Sequence, residues 1–213
     1  MIAPTIVQEI QTEMATHLLS RTEWDELPAV FTIHALNRQG VRIVQVPVPA
    51  DVWTVLGHPP TAVAVLAATA LGLPRQPDGS HLLVMPGVGP LIGAAFRYEA
   101  YAISVASDHP VAQEAARRRA AGGSTPGFKD IPGRVEQRCM TAVDLDGGRY
   151  MASSARIDQS RPDAAEPSVH YLAFADPKRD SLTGNVVDAV TRLLNVIKPV
   201  PMKPGGTFGR ATR

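Results

Sequence analysis

Cysteine occurs once in these 213 residues, at Cys139. A lone thiol closes no intrachain disulfide and supports no cysteine-based metal framework, and it fits a reducing compartment. Charge excess is also missing. The 21 Lys and Arg residues face 20 Asp and Glu, leaving +1, so no global field draws the chain to nucleic acid or an anionic membrane. Any basic surface has to be local. Long hydrophobic runs are absent as well. The most apolar stretch, PTAVAVLAATALGL at 60–73, has 14 residues, whereas a bilayer-spanning helix needs about 20. The opening MIAPTIVQEIQTEM lacks the basic start and apolar core of a signal peptide. The expectation is a cytoplasmic protein without a membrane segment.

What is present builds one generous domain. At 45% hydrophobic the chain has material for a real core. Ile6, Ile10, Met14 and Leu18 recur every four residues, and Thr5 and Gln8 have capping-box spacing, so 5–20 reads as an amphipathic helix. Pro28 breaks the pattern. FTIHAL and VRIVQVPV then read as paired strands, the second stopped or placed at a sheet edge by Pro47 and Pro49. Pro59 and Pro60 open a second helix that Gly72 and Pro74 close. Its all-round apolar character (Val63, Val65, Leu66, Leu71) predicts burial. Residues 94–106 alternate as a strand, with Ala94, Phe96, Tyr98 and Ala100 on one face and Arg97, Glu99 and Tyr101 on the other. A short polar helix at 108–123, two strands flanking DLDGG, the strand VHYLAF and a helix over 184–198 follow. The last helix carries a stripe of Val186, Val190, Leu193, Leu194 and Ile197. This pattern predicts an α+β fold: a mostly antiparallel sheet with N-terminal, central and C-terminal helices packed on one face. It places a single domain at 1–198 and a flexible tail at 199–213, with 120–133 and 158–168 as polar, loop-like segments.

Two motifs invite chemistry. DLDGG, 144–148, starts like a calcium loop, but counting from Asp144 puts Gly148 at position 5, Arg149 at 6 and Ala155 at 12. Those positions call for a ligand, a glycine and a bidentate glutamate. Asp-Gly between alternating segments is instead a hairpin signal. In that hairpin Asp144 or Asp146 is expected across from Arg149, depending on register. GVGPLIG, 87–93, has its third glycine one position late for a dinucleotide fingerprint and runs into a strand pattern, not a helix. It reads as a bend.

The six histidines show no metal-ligand spacing, and no G-x-S-x-G elbow occurs. Cys139 falls on an apolar strand face, where a thiol is inert. Arg117, Arg118 and Arg119 fan over about 200° of a helix with no aromatics beside them, so nucleic-acid contact is expected to be weak at best. No catalytic residue, metal ligand or cofactor site is assigned. The candidate ligand or partner site is the polar face carrying Arg97, Glu99 and Tyr101 on one strand and Glu136 and Arg138 on another. Cross-strand ion pairing is the bland reading of the same face.

WDELPAVFTIHAL (24–36), VPADVW (48–53) and RVEQRCMTAVDLDGGRYMASS (134–154) resemble segments of uncharacterised proteins encoded by actinobacteria and their phages. The resemblance covers about half the chain. It implies an accessory protein and no catalytic residues. The resulting expectation is a non-enzymatic protein that binds a macromolecular partner, a protein or a second copy of itself. The alternative is a small-molecule-binding domain or enzyme with an anion pocket on the polar sheet face, where Arg138 anchors the anion.

Overall fold

A computed structural model of the chain describes residues 2–36, 40–56, 59–103, 109–121, 131–132, 134–156, 169–174 and 184–200. The expectations for the turn at 37–39, for 104–106, for most of 120–133, for 158–168 and for 201–213 lie outside them.

The first helix, α1, runs Pro4–Leu19. Pro4 sits in its first turn with extended Ala3 as the cap residue, and Ile6 and Val7 donate to the Ala3 carbonyl at 2.9 and 3.2 Å. Thr5 is therefore already helical, and no capping box forms. Proline's fixed φ starts the helix instead. Ile10, Met14 and Leu18 are buried.

Six strands follow among the described residues: β1 (Ala29–Leu36), β2 (Gly40–Gln45), β3 (Leu91–Ile103), β4 (Arg134–Asp144), β5 (Arg149–Ala155) and β6 (His170–Phe174). They form one sheet in the order β2-β1-β3-β4-β5-β6, with every neighbouring pair antiparallel. Among the described residues there are four further helices: α2 (Ala50–Leu56), α3 (Pro59–Ala70), α4 (Pro110–Ala120) and α5 (Asn185–Ile197). The class is α+β. β2 lies at the sheet edge and leaves it after Val46 N–H bonds the Val30 carbonyl at 2.8 Å. Pro47 and Pro49, lacking N–H groups, carry the chain away into α2, a helix the residue pattern does not announce.

The sheet is covered on both faces. Val30, Ala94, Phe96 and Val143 face α2, α3 and α5, meeting Trp53, Ala62, Val63, Val190 and Leu193. Ala29, Phe31, Ile33, Ala95, Met140, Ala142, Tyr150 and Ala152 face the other way and meet Ile10, Met14 and Leu18 of α1. One shared face therefore holds for the central and C-terminal helices, while α1 lies across the opposite one. The cause is β1 and β4: Ala29 to His34 and Arg138 to Asp144 are buried without a break. Strands apolar on both sides need a cover on both.

α3 buries only Ala62, Val63, Ala67 and Ala70. Val65 and Leu71 are exposed, so the all-round burial expected of it shrinks to a narrow strip of mostly small residues against α5. Arg75 donates to the Val196 and Lys198 carbonyls at 2.8 and 3.0 Å, closing the end of α5 where helix carbonyls lack partners. α4 touches Ile131 through Ala112 and Ala115. Among the described residues no helix is long and apolar enough to cross a membrane.

Candidate functional site

The alternation along β3 does place Arg97, Glu99 and Tyr101 on one face. The register sets Glu99 opposite Arg138 and Tyr101 opposite Glu136. All five candidate residues thus gather on the α1 side of the sheet. α1 ends at Leu19, one strand-end short of them, and residues 20–28 cross the gap.

That crossing segment takes up the polar groups. Arg138 is 2% exposed. It donates to the Arg21 carbonyl at 2.9 Å and to the Glu23 carbonyl, and reaches Glu99 Oε1 at 3.3 Å. Glu99 Oε2 accepts from the Asp25 amide at 2.9 Å. Asp25 holds a φ of 62°, a left-handed conformation costly for a side chain other than glycine. Arg97 donates to the Leu27 carbonyl at 3.2 Å, and its Nη1 lies 2.7 Å from Glu26 Oε2. Arg21 leans on the same carboxylate at 2.9 Å. Trp24 lies under Arg138 at 4.7 Å and near Arg156 at 5.3 Å, both within cation–π range. Tyr101 and Glu136 form the rim, with Arg134 over the Tyr101 ring at 5.2 Å and Arg156 on Glu136 at 2.7 Å.

Arg97, Glu99 and Arg138 thus fasten the chain's own 20–28 segment to the sheet. Trp24, Glu26 and Arg156 belong to the same constellation, and residue spacing alone does not single them out. The one hint is WDELP itself, a tryptophan among acids directly after a helix. Carboxylate oxygens of Asp25, Glu99 and Glu136 lie within 4.8 Å of one another. Arg138 already occupies Glu99, and Arg156 spans Glu136 and Asp25. A cation placed there would have to displace two guanidinium groups, so the donor set does not fit a metal.

His17, on the last turn of α1, packs edge-on against Phe31 at 4.8 Å, and its Nε2 is buried with no hydrogen-bond partner. Burial first, then the nearby Arg97 and Arg21 charges, lower its pKa from 6.5 to about 4. The ring is neutral in the fold and protonates more readily in the unfolded chain. Its contribution is therefore complete above pH 6.5 and is lost as pH falls toward 4. We expect His17→Gln to flatten the stability–pH curve in that window by up to about 2 kcal/mol, after allowance for solvent reaching part of the ring. Urea titrations of both proteins between pH 7 and 4 check this, and parallel curves would refute it.

DLDGG is a turn. β4 and β5 pair Val143 with Arg149, so neither Asp144 nor Asp146 lies across from Arg149 as expected. The Asp144 amide bonds Gly148 instead, at 3.0 Å. Asp144 is buried. Its Oδ1 accepts the Asp146 and Gly148 amides at 2.8 Å each, and its Oδ2 accepts the Tyr150 hydroxyl. Burial and that carboxylate push the Tyr150 pKa upward. The lone pairs a calcium ion would need are spent on the chain.

Gly89 (φ 131°) leads into strand β3, not a helix, and its carbonyl accepts His34 Nδ1–H at 2.8 Å. A Cβ there would meet the Ala35 carbonyl oxygen. His81 Nε2–H donates to the Ala70 carbonyl at 2.9 Å, and its Nδ1 accepts the Leu83 amide at 3.1 Å. Both histidines are buried and locally satisfied. Cys139 is buried too, its thiol pushed up to about 12 by desolvation. Arg117 and Arg118 are exposed and share Glu114, as on a solvated helix face. No family model matches the chain, and neither curated proteins nor solved structures give a match.

Proposed function

We propose that the protein is a non-catalytic binding protein whose partner is a protein. One observation carries this reading. Between α3 and β3, four large apolar side chains stand outward: Leu71 (72% exposed), Leu73 (40%), Leu82 (51%) and Met85 (49%). Large apolar side chains left exposed on one segment of a folded chain are candidates for an interaction surface. The segment bearing them is well tied down. Gln76 donates to the His81 and Val84 carbonyls at 3.3 and 3.2 Å, His81 binds it to the end of α3, and Arg75 binds it to the end of α5. These side chains are held out by a fixed backbone. The polar sheet face, by contrast, is filled by residues 20–28. Arg117 and Arg118 of α4 share the carboxylate of Glu114.

The test combines sedimentation with affinity capture from the native host, using the natural chain and Leu82→Asp/Met85→Asp. We expect either a concentration-dependent dimer or a stoichiometric captured protein, and in both cases at least about a tenfold loss in the double variant. The variant should keep its thermal midpoint, because both side chains are exposed. A monomer with no stoichiometric partner would sink the reading, and so would a complex indifferent to the two substitutions.

A further inference from the structure

We propose that a cleft floored by Arg97 binds a small organic monoanion: a carboxylate attached to a compact apolar body. The cleft opens where β2 leaves the sheet. Because β2 stops at Gln45, the strand pair Ala29–Arg97 has no outer neighbour. The departing 46–50 segment and the crossing 20–28 segment form the two walls. The space is about 330 Å³ and is lined by Arg21, Glu26, Arg97, Leu27, Val48 and Trp53, among others. That size lies at the small end of ligand sites and suits a molecule of roughly ten heavy atoms.

Three features point to an anion. First, two guanidinium groups share the single carboxylate of Glu26 there, while the next pair along the sheet, Arg138 and Glu99, balances itself. The cleft therefore holds one unmatched positive charge. Second, Arg97 is 4% exposed, so its charge acts from a position largely closed to water, where Coulomb attraction is stronger than in solvent. Third, burial and the neighbouring Arg21 depress the Arg97 pKa, a strain that an added negative charge relieves. Arg21, with 37% of its side chain exposed, is the guanidinium an entering carboxylate can reach. Leu27, Pro28, Val48 and Trp53 supply apolar walls, so the rest of the ligand is hydrocarbon. This inference stands apart from the protein-binding surface, which lies on the segment between α3 and β3.

The probe is benzoate, with benzamide as its neutral isostere and acetate as the carboxylate without an apolar body, all at matched ionic strength. The readout is the indole N–H signals of the two tryptophans in a ¹H–¹⁵N spectrum, assigned with Trp24→Phe. We expect a saturable Trp53 shift with benzoate at a Kd of about 1 mM or tighter, and at least roughly tenfold weaker responses to benzamide and acetate. Arg21→Gln should weaken benzoate about tenfold, and Ala50→Phe, which fills the cleft from an exposed wall position, should abolish the shift. Both sites are partly or fully exposed, so neither variant should alter the spectrum elsewhere. A cleft that holds only solvent would give no saturable shift at about 10 mM benzoate. That result overturns the proposal, as would equal responses to benzoate and benzamide, or binding that survives Ala50→Phe.

Discussion

Arg138→Met is expected to destabilise the protein by about 3–5 kcal/mol, the cost of removing one partner from a buried charged pair. The substitution strands the Glu99 carboxylate, whose side chain is only 15% exposed, and leaves the Arg21 and Glu23 carbonyls without donors. It also withdraws the cation from above Trp24. In a chain of this length that loss lowers the thermal midpoint by about 10 °C. Arg138→Lys should fall between, because a point charge replaces a fork serving three acceptors. Arg156→Ala, which removes an exposed pair from the same cluster, should cost no more than about 1 kcal/mol. Urea unfolding of the three variants, followed by tryptophan fluorescence, checks the order. If Arg138→Met proves as mild as Arg156→Ala, then the 20–28 segment is held by something other than its contacts with the sheet.

The second large effect is at the β4–β5 turn. Asp144→Ala should cost about 3–4 kcal/mol, because the buried Gly148 amide and Tyr150 hydroxyl lose their acceptor together with the Asp146 amide. Asp144→Asn keeps one acceptor oxygen and should be milder. Gly148→Ala should be severe for a different reason: its Cβ would lie 2.4 Å from Asp144 Oδ2 and 2.8 Å from the Tyr150 hydroxyl. Chemical denaturation, with near-ultraviolet circular dichroism to follow Tyr150, separates the three. Added calcium should leave every midpoint unchanged, and a calcium-dependent rise would restore the metal reading of DLDGG.

Much of this architecture is legible in residue order, and the parts that are not have a common cause. Alternation at 94–101 places Phe96 and Arg97 on opposite faces because a pleated strand permits nothing else. Asp-Gly at 146–147 announces the hairpin because glycine takes the required positive φ. The two-sided burial of the sheet is also written in AVFTIHAL, whose nearly unbroken apolar run is the mark of a strand covered on both faces. That mark is easily outweighed by the cleaner alternation of β3.

The polar face is harder. Its charges suggest a place for something to bind, and something does bind, but the occupant is the backbone of residues 21–27, more than a hundred positions away from Arg138. Carbonyl acceptors are identical in every residue, so no pattern of side chains reveals which ones a guanidinium will find. The same holds for α2, which follows the end of β2, and for the cleft beside that end.

The seating of α1 has a consequence for how the protein is made. Within this chain α1 is the first element to leave the ribosome, yet the far side of its seat consists of Met140, Ala142, Tyr150 and Ala152. At roughly 5–20 residues per second, the apolar stripe of Ile10, Met14 and Leu18 waits on the order of ten seconds for its sheet. For that interval only the β1 and β2 part of its seat, with Phe31, Ile33 and Val41, has been made, and an apolar stripe that is incompletely covered is the kind of surface chaperones recognise and aggregation exploits. Slower translation through 20–150 should lower the yield of folded protein, whereas moving α1 to follow β6 by circular permutation should shorten the wait.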